Sequence, residues 1–305
     1  MKKIAVVGNV SLDILFEAPR MPHQHEKLQA EHMTIAGGGA PANVAHWLAR
    51  LGHAVRFFSV TGNDSLSDLA VDSLRTAGVD IANVQRIAGV GPSVCAIVTQ
   101  GSHKSMVCGS PAAATPAHWE AMLNEADFST YDHVHIMPRL HPPLFAGGRR
   151  GDLVGRTISS DLNGSYSPQL VADIDFAFSN YDEISATSGW RDIGAMIAAD
   201  LAGRPHHLLV TRGADEIVCY RDEETLRVIP RSVTALDRTG GGDAFCAGYL
   251  HKILQGAEAA DAINAGLMLA QATLQAFGGR PATSTINAAL AALTGKRTPP
   301  TTTGS

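Results

Sequence analysis

Apolar runs of strand length alternate along the chain with segments whose apolar positions recur every three or four residues, the pattern of βα units around a mainly parallel sheet. KIAVVGN opens the sheet. Residues 41–51 place Val44, Leu48 and Leu51 on one helical face, with Pro41 near the first turn and Gly52 just past the end. AVRFFSVTG follows as a second buried strand, and 65–77 reads as a helix ended by Gly78. Short strands are expected at 84–87, 93–99 and 104–107, because residues 88–108 lack helical period. With extended pieces between Leu15 and Met33 they predict a small sheet standing off the main body, a lid from about 15–35 and 88–108. A helix at 116–126 precedes strands at 133–137, 157–162, 176–179, 207–211 and 216–220, with helices at 183–188 and 193–202. From Gly241 onward the pattern is helical, through 244–254, 259–276 and 285–293. No internal repeat or linker divides the chain, so residues 1–295 are expected to form a single α/β domain, and 296–305 (KRTPPTTTGS) a disordered tail.

Composition narrows the partners. Of 305 residues 45% are hydrophobic and 17% charged, enough for a substantial core. A formal charge of −5 without any basic run argues against nucleic acid. No apolar stretch reaches the roughly 20 residues needed to cross a bilayer, and the start, MKKIAVVGNVSLDILF, reads as a strand rather than a secretion signal. The expected location is the cytoplasm. Four cysteines, Cys95, Cys108, Cys219 and Cys246, are far apart, and Cys95 and Cys219 lie in apolar strand-like runs, so buried free thiols are expected over a disulfide or a metal role. His23 and His25 have no companion ligands at metal-site spacing and read as solvent-facing loop residues.

The segment richest in chemistry is Asp237-Arg238-Thr239-Gly240-Gly241-Gly242-Asp243, a triple glycine opening an amphipathic helix. Bare amides there converge without Cβ obstruction and the helix N-terminus adds partial positive charge, a setting for an anion. On the residues alone, Asp243 is either a helix cap in a tight turn or a base that takes a proton from an attacking hydroxyl. A second glycine run, Gly37-Gly38-Gly39-Ala40-Pro41-Ala42-Asn43, lets a polar ligand approach the backbone closely, and Asn43 can both donate to and accept from hydroxyls.

These motifs, in this order, resemble those of the ribokinase-like, or phosphofructokinase B, family of carbohydrate kinases, and the resemblance runs from the first strand to about Leu293. It implies a ribokinase-like fold, a central mainly parallel sheet flanked by helices with a small β-sheet lid, and transfer of the γ-phosphoryl group of ATP to a hydroxyl of a sugar or sugar-bearing molecule. By the same resemblance Asp243 is the base and Gly240, Gly241 and Gly242 form the anion hole; Asp13, Gly38, Gly39 and Asn43 hold the acceptor. Asn180, Thr211, Gly213 and Asn264 fall on the nucleotide side, and Glu183 organises Mg2+ through water. Asp237, Thr239, Gly279 and Thr283 stand where some members bind K+. Arg238 departs from the small residue usual in the motif, and Gly241 from a common alanine.

The acceptor stays open between a neutral sugar carrying an exocyclic CH2OH, a phosphorylated sugar and a nucleoside. Cys108-Gly109-Ser110-Pro111-Ala112 stands where many members carry a Pro-Gly-Ala-Asn-like segment, which argues against ordinary hexose or ribose specificity. His103, Lys104, Lys27 and Arg139 are cations that would suit a phosphosugar, or ordinary surface charges; Trp47 and Met137 would suit a base, or the core. A non-catalytic sugar- or nucleotide-sensing protein is the alternative of a different class. Exposed strand edges on a lid make a homodimer the expected assembly.

Overall fold

The computed structural model describes residues 1–100, 103–109, 115–145, 151–188, 207–221 and 224–296. The main sheet is formed by β1 (Lys3–Val7), β4 (Ala54–Gly62), β5 (Asp80–Ile87), β8 (His133–Ile136), β9 (Thr157–Asp161), β10 (Phe176–Asn180), β11 (His207–Arg212), β12 (Glu216–Arg221) and β13 (Glu224–Val228). Its order is β13-β12-β11-β10-β9-β8-β1-β4-β5, parallel from β5 to β11 and antiparallel across the last two pairs. The α-helices among the described residues are α1 (Ala40–Arg50), α2 (Ser65–Thr76), α3 (Pro116–Glu125), α4 (His141–Phe145), α5 (Pro168–Ala172), α6 (Tyr181–Ser188), α7 (Gly241–Ile253), α8 (Ala259–Thr273) and α9 (Ser284–Thr294).

Alternation along the strands splits the core into two layers. Ile4 and Val6 of β1 pack with α1, α7, α8 and α9 on one face, while Ala5 and Val7 pack with α3 and α4 on the other. Both faces are covered, which is why the parallel strands read as continuous apolar runs. Neighbouring elements are capped locally: Asp64 accepts from the amides of Leu66 and Ser67 to start α2, and Thr283 accepts from Ile286 to start α9.

Four strands stand apart in a second sheet of order β3-β2-β6-β7, made by β2 (Ser11–Glu17), β3 (His32–Gly38), β6 (Ser93–Gln100) and β7 (His103–Gly109). Its register aligns Ala36, Asp13, Cys95 and Cys108 in one transverse row, so their side chains point to the same face. Cys95 and Cys108 are joined there by a disulfide, with Cα atoms 4.1 Å apart, which corrects the expectation of free thiols at these positions. SVCAIV resembles a core strand, but it lies in the small sheet, directly opposite the strand that carries Cys108. Cys219 and Cys246 are free and buried, as expected. Strand β13 and the short helices α4 and α5 were not anticipated. The expected helix at 193–202, the tail beyond Lys296 and Ser110 to Ala112 lie outside the described residues, among which no helix is long and apolar enough to cross a membrane.

Candidate active site

The parallel strands end on one edge, at Val7, Ile136, Asp161, Asn180 and Arg212, and β1 sits where the strand order runs outward in both directions. A crevice at the carboxyl ends of such strands is the natural ligand site of an open α/β sheet. The turn that opens α7 is held there by Asp237. One oxygen of that carboxylate accepts from the Thr239 amide (2.9 Å) and hydroxyl (2.8 Å), the other from the Gly278 amide (2.8 Å). Gly240 adopts φ 74°, and a Cβ there would stand 2.4 Å from the Cα of Gly279, so only glycine makes this turn without displacing the neighbouring loop. α7 has no side-chain cap, and its first intrahelical bond runs from Ala244 N to Gly240 O at 2.9 Å. The N–H groups of Gly241, Gly242 and Asp243 precede that bond, which leaves them positioned to meet an anion.

On the acceptor side, β3 runs into α1 through the second glycine segment. Gly38 is forced by close approach, since a Cβ would lie 2.1 Å from a carboxylate oxygen of Asp13. Asp13 accepts from the Ser11 hydroxyl at 2.8 Å, and Gly39 begins α1, accepting from the Asn43 amide at 2.8 Å. Asn43 Nδ2 donates to Asp243 at 2.6 Å, joining the two glycine motifs across 200 residues of sequence. Asp13, Asn43 and Asp243 are 6%, 3% and 8% exposed, so three polar side chains share a site largely shielded from water.

Burial is also the main electrostatic force. It pushes Asp243 up to about 6, aided by the Asp13 charge and opposed by the Asn43 hydrogen bond, Arg280 and Lys104. Asp13 is raised by burial too, against the Ser11 hydrogen bond and the same two cations. A carboxylate held near 6 remains ionised at neutral pH yet is a better proton acceptor than an ordinary aspartate.

The residues expected on the nucleotide side lie at the ends of β10 and β11. Asn180 caps α6 by accepting from the Glu183 amide at 2.8 Å, Thr211 closes on the Ser179 carbonyl at 3.4 Å, and Gly213 turns with φ 55°. Asp161, at the end of β9, was missed from the sequence; burial, then the charges of Asp243 and Glu183, push it up to about 7. The signal for it was an acid terminating an apolar strand at the carboxyl edge. Arg280 was also missed. Its guanidinium donates to Asn43 Oδ1 (2.8 Å), Ser73 Oγ (2.6 Å) and the Gly38 carbonyl (2.7 Å), and nothing in its local sequence announces partners so remote.

Other expectations are placed elsewhere. Asn264 is exposed, ten residues before Leu274, and hence about 15 Å along the helix axis from the end that packs on the anion turn. Segment 231–236 runs along that nearer end, where the Arg231 and Leu274 carbonyls accept from Gln271 and Leu236; Leu236 (51%), next to Asp237, and Met268 (42%) on α8 are exposed apolar groups. Trp47 and Met137 are core residues, the indole donating to the Gly279 carbonyl at 3.1 Å. Lys27, His23, His25 and Arg139 face solvent. Lys104 is different: its ammonium reaches from β7 to the Thr239 hydroxyl at 3.1 Å, bridging the small sheet and the anion turn.

The pfkB family carbohydrate kinase model matches residues 1–286. The chain is 25% identical to the ATP-dependent ribose-1-phosphate kinase of Halopiger xanaduensis over 279 residues, covering 87% of this chain and 93% of that protein. It is 24% identical to the ribokinase of Haemophilus influenzae over 276 residues, covering 87% and 90%. Among solved structures, the nucleoside kinase of Methanocaldococcus jannaschii, an archaeal member of the ribokinase family, superposes with a TM-score of 0.77 at 22% identity, covering 96% of this chain and 98% of that one.

Proposed function

Because the chain belongs to the pfkB family of carbohydrate kinases, we propose that it transfers the γ-phosphoryl group of ATP to the exocyclic CH2OH of a neutral sugar or sugar-bearing molecule, with Asp243 as base. The observation that carries the reading is the 2.6 Å bond from Asn43 to Asp243, which puts the acceptor-side motif and the anion turn around one carboxylate. The acceptor hydroxyl lies against Asp243 while Asp13, Gly38, Gly39 and Asn43 hold the rest of the sugar. As its oxygen bonds to the γ-phosphorus and the bond to the β–γ bridging oxygen breaks, Asp243 takes the hydroxyl proton and ADP departs. The free amides at the start of α7 neutralise charge gathering on the transferring group. Leu236 and Met268 offer the adenine an apolar shelf in place of Asn264.

A divalent cation fits the carboxylate side. Burial raises Asp161, and the nearby charges of Asp243 and Glu183 add to it, yet the described residues contain no group of three ligands that could grip an ion directly. Asp161 and Glu183 would hold Mg2+ through water, as suits an ion that dehydrates reluctantly, and the ion when bound supplies neutralisation of triphosphate charge. K+ would be met mostly by backbone carbonyls of Asp237, Thr239, Gly279 and Thr283, of which the Gly279 carbonyl already accepts from the Trp47 indole at 3.1 Å.

The neutral-sugar reading is favoured over a nucleoside because Trp47 and Met137 are spent in the core, and over a phosphosugar because Lys104 turns to the anion turn while Lys27 and Arg139 face water. The assembly we favour is a homodimer through the outer face of the small sheet, where Met33 (59%), Ile35 (46%) and Val107 (76%) are exposed opposite the Asp13 face. Mg2+-dependent ADP release across pentoses, hexoses, sugar phosphates and nucleosides tests the acceptor. A neutral sugar should give the highest kcat/KM; a sugar phosphate or nucleoside that surpasses it overturns the choice, and tight ligand binding without turnover across the set points to a sensor.

A further inference from the structure

Arg280 lies 237 residues from Asn43 in sequence and meets it directly in the fold. We propose that Arg280 is a positioning residue, which fixes the Asn43 carboxamide with its NH2 toward Asp243 and ties the acceptor-side glycine segment to that same amide. The inference rests on Asp243 being the base of the proposed reaction.

A carboxamide has two nearly isosteric orientations, and its neighbours decide between them. Here Arg280 Nε–H donates to Asn43 Oδ1 at 2.8 Å while Asn43 Nδ2 donates to Asp243 at 2.6 Å. Turning the amide over would set its NH2 against the guanidinium and its oxygen against the carboxylate, replacing two charge-assisted hydrogen bonds by two repulsions. Without a cation at position 280 only the Asp243 contact would discriminate. The two remaining guanidinium contacts, to Ser73 Oγ on α2 (2.6 Å) and the Gly38 carbonyl (2.7 Å), hold the guanidinium itself in place. One group thus registers α1, α2 and the end of β3 against the base.

The consequence is directional. With one of its oxygens engaged by Asn43, the Asp243 carboxylate cannot rotate freely, and its remaining lone pairs keep a fixed bearing for the acceptor hydroxyl. Asp243 is faced also by Asp13 from β2, Lys104 from β7 and Asp161 from β9. The charge of Arg280 offsets the two other acids, but its fork geometry is what orients the amide.

Arg280→Met and Arg280→Lys separate these roles. In 15N-labelled protein the side-chain amide protons of Asn43, identified by their loss in Asn43→Ser, should be protected from exchange in the wild type, unprotected and shifted in Arg280→Met, and partly restored in Arg280→Lys. Losing a charge-assisted bond predicts a fall in kcat of about ten- to hundredfold, with KM for ATP little changed and a partial rescue by lysine, measured with MgATP and the best acceptor of the panel above. Should Arg280→Met fail to fold, Arg280→Lys, which keeps the charge without the fork, carries both readouts. Unchanged Asn43 amide protons in a folded variant would refute the positioning role whatever happens to turnover. Altered protons with unaltered kcat would refute its bearing on the reaction. If the wild type phosphorylates nothing, the kinase reading fails while the amide measurement still decides the geometry.

Discussion

The floor of the crevice and the small sheet above it are built on opposite terms. The floor stands on α7, where Ala244, Phe245, Cys246 and Ala247 are at most 3% exposed, and its turn is clamped by three donors on Asp237. The small sheet carries Asp13 on one face and exposed apolar residues on the other, and its edge strand β7 pairs with β6 alone. Close packing leaves the floor one conformation in which backbone amides and a carboxylate converge. The small sheet is tied to it by the Lys104–Thr239 bond and by Arg280 at the Gly38 carbonyl. The anion turn therefore rests on a closely packed helix, and Asp13 and Lys104 reach towards it from a sheet whose other face is exposed.

That contrast can be broken most sharply at Gly240. Gly240→Ala forces a Cβ to within 2.4 Å of Gly279 at a positive φ, displacing the amides; kcat should fall about 10²–10³-fold, as when a donor to a developing anion is lost. Steady-state kinetics and a thermal melt check this, and near-normal kcat would mean the amides do not serve the reaction.

The next effect is on stability. Asp243 is raised from an ordinary 3.8 to about 6 in the folded protein, so between those values the folded state binds more protons and stability falls as pH rises, remaining low above 6. Asp243→Asn removes the penalty, by up to about 3 kcal/mol at pH 7. Its Tm should exceed that of the wild type at pH 7.5 and converge with it near pH 4; a lower Tm at pH 7.5 would show that the carboxylate stabilises the floor.

Effects on the small sheet should be milder. Lys104→Met removes one charge-assisted bond between sheet and floor, predicting a loss of about tenfold in kcat/KM without a change in Tm, since the lysine is otherwise exposed. Val107→Asp, on the far face, should leave kcat within about twofold, as surface substitutions do, while sedimentation shifts from dimer to monomer. Loss of turnover in that variant would mean the two faces are coupled.

The same contrast explains what could be read from sequence. The floor motif is contiguous, so Gly240 to Asp243 and their helix were legible from local chemistry, as were the parallel strands from their apolar runs. The small sheet was legible only in outline, because strand pairing is long-range: SVCAIV gives Cys95 the pattern of a core thiol, and only the register with β7 brings it opposite Cys108. Arg280 lay beyond reach for a similar reason, its partners standing 207 to 242 residues away. Asn264 was expected beside the adenine from its place in a late helix, and it is exposed about 15 Å along α8 from the end that packs on the anion turn. Asp161 had a readable position and was overlooked because its companions, Glu183 and Asp243, come from α6 and α7.

The most direct test compares phosphoryl transfer with ATP binding in Asp243→Asn. Removing a positioned base predicts kcat lower by about 10²–10⁴-fold, with the affinity for MgATP, measured by calorimetry, within about threefold of wild type because the amides opening α7 are untouched. Turnover close to wild type in a folded Asp243→Asn protein would contradict the account.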